Sequence, residues 1–367
     1  MSVDLSFHNL SPTFAGGLID DPLLLVRVVP SGRFLMFDCG QVHHLANRIF
    51  SRLDALFISH AHMDHWMGID TVIRCVHAAP RTIDLFGPPG LADKLESKLA
   101  GYDWNLAEDY WASFRVHEVF PDHICCDRFC GPEGFRRLAQ GARPHGRQRP
   151  ICRTPQFEVL AATCQHRVAS LAFRINDRPG FLIDKEKLAA LDLVPGPWIG
   201  DLKGRVLRDE GLDAGLTVCR RGPDGTDREV WIQDVPALLR QIERPQRPAA
   251  IGYVSDVGFT DANRATIVDL MAGVDLLVCE CTFLQDGRQR ARNSHHLCTD
   301  DVNWLLRELR PRFFLPMHLS KTYSRRSAEL YQELVPPEGT QLLQLPLRRT
   351  PRPLLAAEMP WQLNESG

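Results

Sequence analysis

Short apolar runs recur along the chain, and most of them stop at glycine, proline or a charged residue. Residues 22–27 (Pro-Leu-Leu-Leu-Val-Arg) and 33–38 (Arg-Phe-Leu-Met-Phe-Asp) are two such runs, and Pro30-Ser31-Gly32 between them predicts a hairpin. A strand over 55–59 leads into a histidine-rich loop, and the spacing over 66–78 predicts a helix packed behind it. The run 83–86 stops at Gly87-Pro88-Pro89-Gly90, after which 91–99 alternates apolar and charged residues with helical spacing. Alternating β and α elements of this kind build a layered α/β fold.

Between 101 and 153 the pattern weakens, which reads as a variable insertion, part of it a mobile loop; its basic tract Gly141–Pro150 reads as solvated. Order returns with strands over 157–162 and 170–175. Residues 179–228 differ from both flanks and read as a projecting arm, with Val194-Pro195-Gly196-Pro197-Trp198 and the turn-rich Arg220–Arg228 inside it. Further strands are predicted over 249–254, 275–280 and 312–317, with helices over 261–271 and 302–309. Thr299 reads as the N-cap of the second helix, and 285–293 as a polar loop. The main domain is thus expected over 1–350, with a loosely attached tail over 351–367.

Composition adds limits. A chain of 367 residues, 44% hydrophobic and 24% charged, can bury a large core. The formal charge of -2 supplies no global basic field, so a nucleic-acid partner would have to meet a local patch. No stretch approaches the roughly 20 apolar residues that span a bilayer, and Met1–Leu10 lacks the regions of a signal peptide, so a cytoplasmic location is expected. The eleven cysteines then read as reduced thiols. Cys125, Cys126 and Cys130, with Cys152 or His145, have the residue types for a structural metal, but their spacing fits no zinc ribbon or finger and favours ordinary buried or loop cysteines.

The chemistry concentrates in His60-Ala-His62-Met-Asp64-His65, four metal-ligand side chains in six residues directly behind a strand. Imidazoles with a carboxylate suit zinc and related divalent ions, and they leave positions open for water, as hydrolysis requires. Other ligand types stand at or just after strands: His166, Asp256, Glu280 and His318. Strand ends on one edge of an α/β sheet converge in space, so these residues form one candidate site.

The run His60, His62, Asp64, His65 matches the HxHxDH motif in full, and the chain resembles the metallo-β-lactamase superfamily. Within it, the likeness is to the ribonuclease Z family, zinc phosphodiesterases that trim tRNA precursors at their 3′ ends. Phe37-Asp38-Cys39-Gly40, His166 to Leu171, Pro195-Gly196-Pro197-Trp198 with Leu202-Lys203, Glu280-Cys281-Thr282-Phe283, His296 and His318-Leu319-Ser320 follow the order of that family's motifs. The departures are Asn9–Gly17 in place of a glycine-rich loop, Ser255-Asp256-Val257 for Gly-Asp-Thr, Cys279 for a histidine, and Lys321-Thr322 where the family has an arginine before Tyr323.

The resemblance implies a four-layer αββα sandwich with a projecting arm resembling a tRNA-binding exosite, and two divalent ions, zinc with manganese as the alternative. One ion would take His60, His62 and His166, the other Asp64, His65 and His318, with Asp256 bridging. A hydroxide shared by the two would attack the phosphodiester, Asp64 orienting it or accepting its proton. His296, oriented by Glu280, would protonate the leaving 3′ oxygen, with His295 as its rival by position. Asp38 is a candidate partner for a ligand imidazole, and Ser320, Lys321 and Lys203 are weaker candidates for substrate contact. A homodimer is implied by the resemblance alone. Two other functions compete: a hydrolase of a small phosphodiester or ester metabolite on the same fold, and a non-catalytic RNA-binding protein.

Overall fold

The computed structural model describes residues 7–349 apart from 147, 179–180, 209 and 245–247, so the expected tail 351–367 lies outside the described residues. Two large sheets carry the body. The first has eight strands lying in the sheet in chain order, from Leu10–Phe14 to Arg136–Pro144. Its centre is parallel, Arg33–Phe37, Leu53–Phe57, Thr82–Gly87 and Ser113–Val119 running side by side, with antiparallel strands on both flanks. The second sheet has seven strands; Ala250–Val254, Leu276–Glu280 and Phe313–Met317 are parallel, and the hairpin Phe157–His166 with Val168–Asp177 adjoins them.

The period of two along these strands sorts their side chains into separate cores. Leu24, Val26, Leu35, Phe37, Ala55 and Phe57 of the first sheet share a core with Phe173, Ile251, Tyr253, Val278 and Leu315 of the second. Phe37 stacks on Phe57 with ring centroids 4.7 Å apart, and Phe173 meets both rings edge-on. The intervening residues Leu25, Met36, Leu56 and Ile58 face the helices Ile69–Val76 and Leu91–Leu99. Leu277 and Phe314 of the second sheet face the helices Asp261–Met271 and Thr299–Leu309. The three cores order the elements as helices, sheet, sheet, helices.

Several local expectations are corrected. The helix expected over 66–78 is two helices, Met63–Trp66 and Ile69–Val76. The break sits at Gly68, whose N–H donates to the Cys39 carbonyl; a Cβ there would lie 2.3 Å from the Gly40 carbonyl oxygen. Close approach of the 38–40 turn therefore divides the helix and advances its first turn to Asp64 and His65. Part of 101–153 is not a loop: Ser113–Val119, His123–Cys130 and Arg136–Pro144 are three paired strands of the first sheet. The last of these is an edge strand with a mostly exposed face, so it carries little apolar alternation to read. The 285–293 stretch holds the helix Arg288–Ser294 instead of a loop. Cys298, not Thr299, caps the following helix, its N–H donating to Asp301.

The arm has its own three-stranded sheet, Leu193–Val194, Leu216–Arg221 and Asp227–Ile232, beside the helices Pro197–Arg208 and Val235–Ile242. Phe181, Leu188, Trp198, Leu202, Val218, Val235 and Ile242 form its separate core. The compact unit thus continues past Arg228, because Val235, Leu238 and Ile242 close its apolar face.

Candidate metal centre

The carboxyl ends of the parallel strands and the tip of the adjoining hairpin meet between the sheets. Leu53–Phe57 delivers the loop with His60, His62, Asp64 and His65; Phe157–His166 ends in His166; the three parallel strands of the second sheet deliver Asp256, Glu280 and His318. The potential ligand atoms of His60, His62, His166 and Asp256 all lie within 4.8 Å of one another, and so do those of Asp64, His65 and His318. Asp256 stands between the groups: its Oδ2 is 3.6 Å from His60 Nε2, 3.6 Å from His166 Nε2 and 3.3 Å from His65 Nε2, and its Oδ1 is 2.9 Å from His318 Nδ1. His318 also reaches Asp64, Nε2 to Oδ2, at 3.1 Å.

The tautomers follow from outer contacts. Asp38, fully buried, accepts from Ser59 N and Oγ, Tyr253 OH, Ser255 Oγ and, at 2.9 Å, His65 Nδ1. A proton held on Nδ1 leaves the Nε2 lone pair of His65 aimed at Asp256 and Asp64. His166 Nδ1 lies 2.6 Å from the His295 carbonyl, which can only accept, so its Nε2 is the bare nitrogen facing Asp256. Asp38 and His295 hold these positions with φ of 55° and 59°, in the left-handed region where a non-glycine residue is costly. His318 is also left-handed, at 62°.

This geometry fits a cation. His65 Nε2 and Asp256 Oδ1 are buried and make no well-aligned hydrogen bond among the described residues, although Asp256 Oδ2 lies 3.3 Å from the first and His318 Nδ1 2.9 Å from the second. Lone pairs pointed at carboxylates repel unless positive charge lies between them. The electrostatics demand the same charge. Burial opposes a charged His318, yet the Asp256 carboxylate raises its pKa to about 10. Burial likewise opposes a charged His65, and Asp256 with Asp38 still push it well above its usual range. Asp256 and Asp64 are both held below the usual carboxylate range, against their burial, by the neighbouring imidazoles His318 and His65. His60 is driven down to about 3 by burial and by His65, so it stays neutral with a lone pair to give.

Glu280 and His296 lie beside the second group. Buried Glu280 accepts from Val257 N, Thr282 Oγ1 and Leu297 N and stands 3.2 Å from His296 Nδ1. That contact raises the His296 pKa although burial pulls it down, and Nε2 remains as the free ring nitrogen. Of the rival pair it is His296 whose ring adjoins His166 and His318, with centroids 4.6 and 5.7 Å away; His295 contributes its carbonyl. Ligand atoms of Asp256, Glu280, His296 and His318 also lie within 4.8 Å, so this pair has the reach of ligands as well.

The weaker candidates separate. Ser320 Oγ caps the short turn Lys321–Tyr323, accepting from Thr322 N, and Lys321 is exposed at its start. Lys203 is exposed on the arm helix Pro197–Arg208 and has no ion-pair partner among the described residues. Cys125, Cys126, Cys130 and Cys152 are free thiols and belong to none of the ligand groups found among the described residues. Sequence reading misses Tyr253, Ser59 and Ser255 as donors to Asp38, and Asp21, whose carboxyl is raised by burial beside Asp64, His318 and Lys321. Only Ser59 and Ser255 carry a signal, each lying next to a candidate ligand.

Known proteins share this fold. Residues 35–125 match the profile of the Beta-lactamase superfamily domain. The ribonuclease Z of Deinococcus radiodurans is 29% identical over 292 residues, covering 79% of this chain and 83% of that protein. The ribonuclease Z of Haloferax volcanii is 25% identical, covering 82% and 80%. Among solved structures, the metallo-beta-lactamase fold protein YhfI of Bacillus subtilis matches with a TM-score of 0.50 and 13% identity over 92% of this chain and 97% of that one, a likeness of fold. The chain has the fold of a metallo-β-lactamase fold protein, and its residues 35–125 are similar in sequence to the Beta-lactamase superfamily domain. Along most of its length the chain is similar in sequence to ribonuclease Z proteins. No helix among the described residues is long and apolar enough to cross a membrane.

Proposed function

We propose that this chain is a metal-dependent endoribonuclease of the cytoplasm that hydrolyses a phosphodiester of tRNA precursors at their 3′ ends. The observation that carries the reading is the convergence of two groups of ligand side chains, His60, His62 and His166 in one and Asp64, His65 and His318 in the other, with buried Asp256 between them. The ribonuclease Z likeness along most of the chain supports the choice of RNA. His60, His62 and His166 would hold one divalent ion and Asp64, His65 and His318 the other, with Asp256 available to both; zinc is the ion the donor set suits best, manganese the alternative. Bound there, divalent ions supply Lewis acidity to the phosphodiester and acidify the water that attacks it.

The chain's own residues do the rest. Asp64, partly exposed beside His318, orients the attacking water and accepts its proton. His296, held through Nδ1 by Glu280, presents Nε2 to protonate the leaving 3′ oxygen. Asp38 and the His295 carbonyl hold the Nδ1–H of His65 and of His166, so that both rings present Nε2 toward Asp256. Lys203 meets RNA phosphate from the arm, and the protein works as a homodimer.

One observation favours a small phosphodiester or ester substrate instead. Three of the arm's arginines are paired within the arm, Arg205 with Asp201, Arg221 with Asp227 and Arg228 with Asp224, which reduces the positive charge they offer to RNA. The test is incubation of the zinc- or manganese-loaded protein with a 3′-extended tRNA precursor beside bis-p-nitrophenyl phosphate. The proposal expects a discrete RNA cut that weakens steeply with salt. Turnover of the diester alone would move the assignment to the small substrate. Asp64→Ala should abolish both activities.

A further inference from the structure

The loop over 17–21 lies against the metal centre without belonging to either ligand group. It is tied down along its length. Leu18 N and Ile19 N donate to the Pro346 and Leu347 carbonyls, and Asp20 Oδ2 accepts from Gly17 N and Arg349 N. The Leu18 carbonyl accepts from Leu319 N at 2.9 Å, so this loop runs beside the one that carries His318, Ser320 and Lys321. Asp21 stands just past that bond on one side, and Lys321 just past it on the other.

Asp21 has little room to move. It is 7% exposed, and a Cβ on Gly40 would lie 2.5 Å from its Cβ, 2.8 Å from its Oδ2 and 2.0 Å from the Asp64 carbonyl oxygen. Among the described residues its carboxylate accepts no hydrogen bond and makes no ion pair, and the exposed Lys321 ammonium likewise has no partner. A buried carboxylate beside a second one, Asp64, is costly unless a cation answers it. Burial raises the Asp21 pKa, and Lys321 is the first of the cations that lower it, ahead of His318 and His65. A lysine is a point charge on a flexible stem, with no direction of its own. The fixed carboxylate supplies that direction, and because the two groups stay out of ion-pair contact the N–H donors of Lys321 are left for a ligand.

Resting on the phosphodiesterase reading above, we infer that Asp21 is a positioning residue, whose charge draws the Lys321 ammonium over the exposed side of the Asp64, His65 and His318 group to donate to a non-bridging oxygen of the scissile phosphodiester. Asp21 itself touches no substrate. The contact is to phosphate alone, so it serves an RNA and a small phosphodiester alike, and the ammonium gains a charge-assisted hydrogen bond there.

The test is a double-mutant cycle on the zinc-loaded protein, with a 3′-extended tRNA precursor and bis-p-nitrophenyl phosphate as substrates, read on whichever the wild type cleaves. Lys321→Ala should lower kcat/KM by about tenfold or more, the worth of a hydrogen bond to a charged group. Asp21→Asn and the smaller Asp21→Ser both remove the charge, so either one serves the cycle. Each should lower kcat/KM while Lys321 is present and cost nothing further in Lys321→Ala, because the single contact is already lost. Propylammonium added to Lys321→Ala should restore part of the activity, and less of it when Asp21 is also replaced. Bound zinc, counted by mass spectrometry, should be the same in every variant. An equal cost of the Asp21 changes with and without Lys321, rescue that ignores Asp21, or zinc lost with Asp21 overturns the inference and leaves the phosphodiesterase reading standing. A wild type that cleaves neither substrate overturns that reading, and the inference with it.

Discussion

Asp38→Asn is the sharpest single perturbation of the centre, because asparagine keeps the shape, tolerates the left-handed φ of 55° and removes only charge and acceptor capacity. Four donors converge on Oδ2: Ser59 Oγ, His65 Nδ1, Tyr253 OH and Ser255 Oγ. An Nδ2 amide placed there can still be met by hydroxyls that rotate to accept, but the His65 N–H cannot rotate. That imidazole either stays unpaired, forfeiting a charge-assisted hydrogen bond of about 1.5–3 kcal/mol, or moves its proton to Nε2 and blocks the lone pair that faces Asp256. Either route weakens ion binding at the Asp64, His65, His318 group by roughly 10–100-fold. The group of His60, His62 and His166 keeps an outer contact that does not involve Asp38, His166 Nδ1 to the His295 carbonyl, and should retain its ion. Competitive chelator titration with bound metal counted by mass spectrometry reads both affinities. Two ions held as tightly as in the wild type would refute the claim that Asp38 sets the His65 tautomer.

Four further outcomes follow from the geometry. His296→Ala should slow RNA cleavage by about 10²–10⁴-fold with metal content intact, whereas loss of an ion would make His296 a ligand. Since Glu280 raises the His296 pKa, the acid form should persist above the usual histidine range and activity should fall as pH rises through that pKa; Glu280→Gln should move this alkaline limb to lower pH. Gly40→Ala places a Cβ 2.0 Å from the Asp64 carbonyl oxygen and 2.5 Å from Asp21 Cβ, so it should cost metal occupancy and lower the melting temperature, both measurable on purified protein. Lys203→Glu should raise KM for RNA, flatten the dependence of log affinity on log salt by about one, and leave turnover of bis-p-nitrophenyl phosphate unchanged.

The central strands and the ligand loop are legible in the sequence because the apolar runs are short, nearly continuous and closed by turn residues, and because four ligand side chains follow one of them. What escapes reading lies where long-range contact overrides local pattern. The helix behind the loop is divided at Gly68 by the Cys39 carbonyl, a partner that is remote until the fold forms. The edge strand Arg136–Pro144 has almost no buried face, so backbone pairing alone marks it. Tyr253 reads as one more apolar strand residue, yet its hydroxyl reaches across from the second sheet to Asp38 in the first at 2.8 Å. His295 draws attention as an imidazole and acts through its carbonyl, which no side-chain motif can reveal. The arm's apolar stretch 235–242 closes a core whose other half lies some thirty to fifty residues earlier, so its boundary at Arg228 could not be placed from composition.

The most direct test of the centre is stepwise reloading of chelator-stripped protein with zinc while cleavage of a 3′-extended tRNA precursor is followed. The ligand groups predict that stripped protein is inactive and that RNA cleavage appears as the second equivalent binds. Cleavage that survives stripping, or that reaches its full rate with a single ion bound, would contradict the two-ion hydrolytic centre.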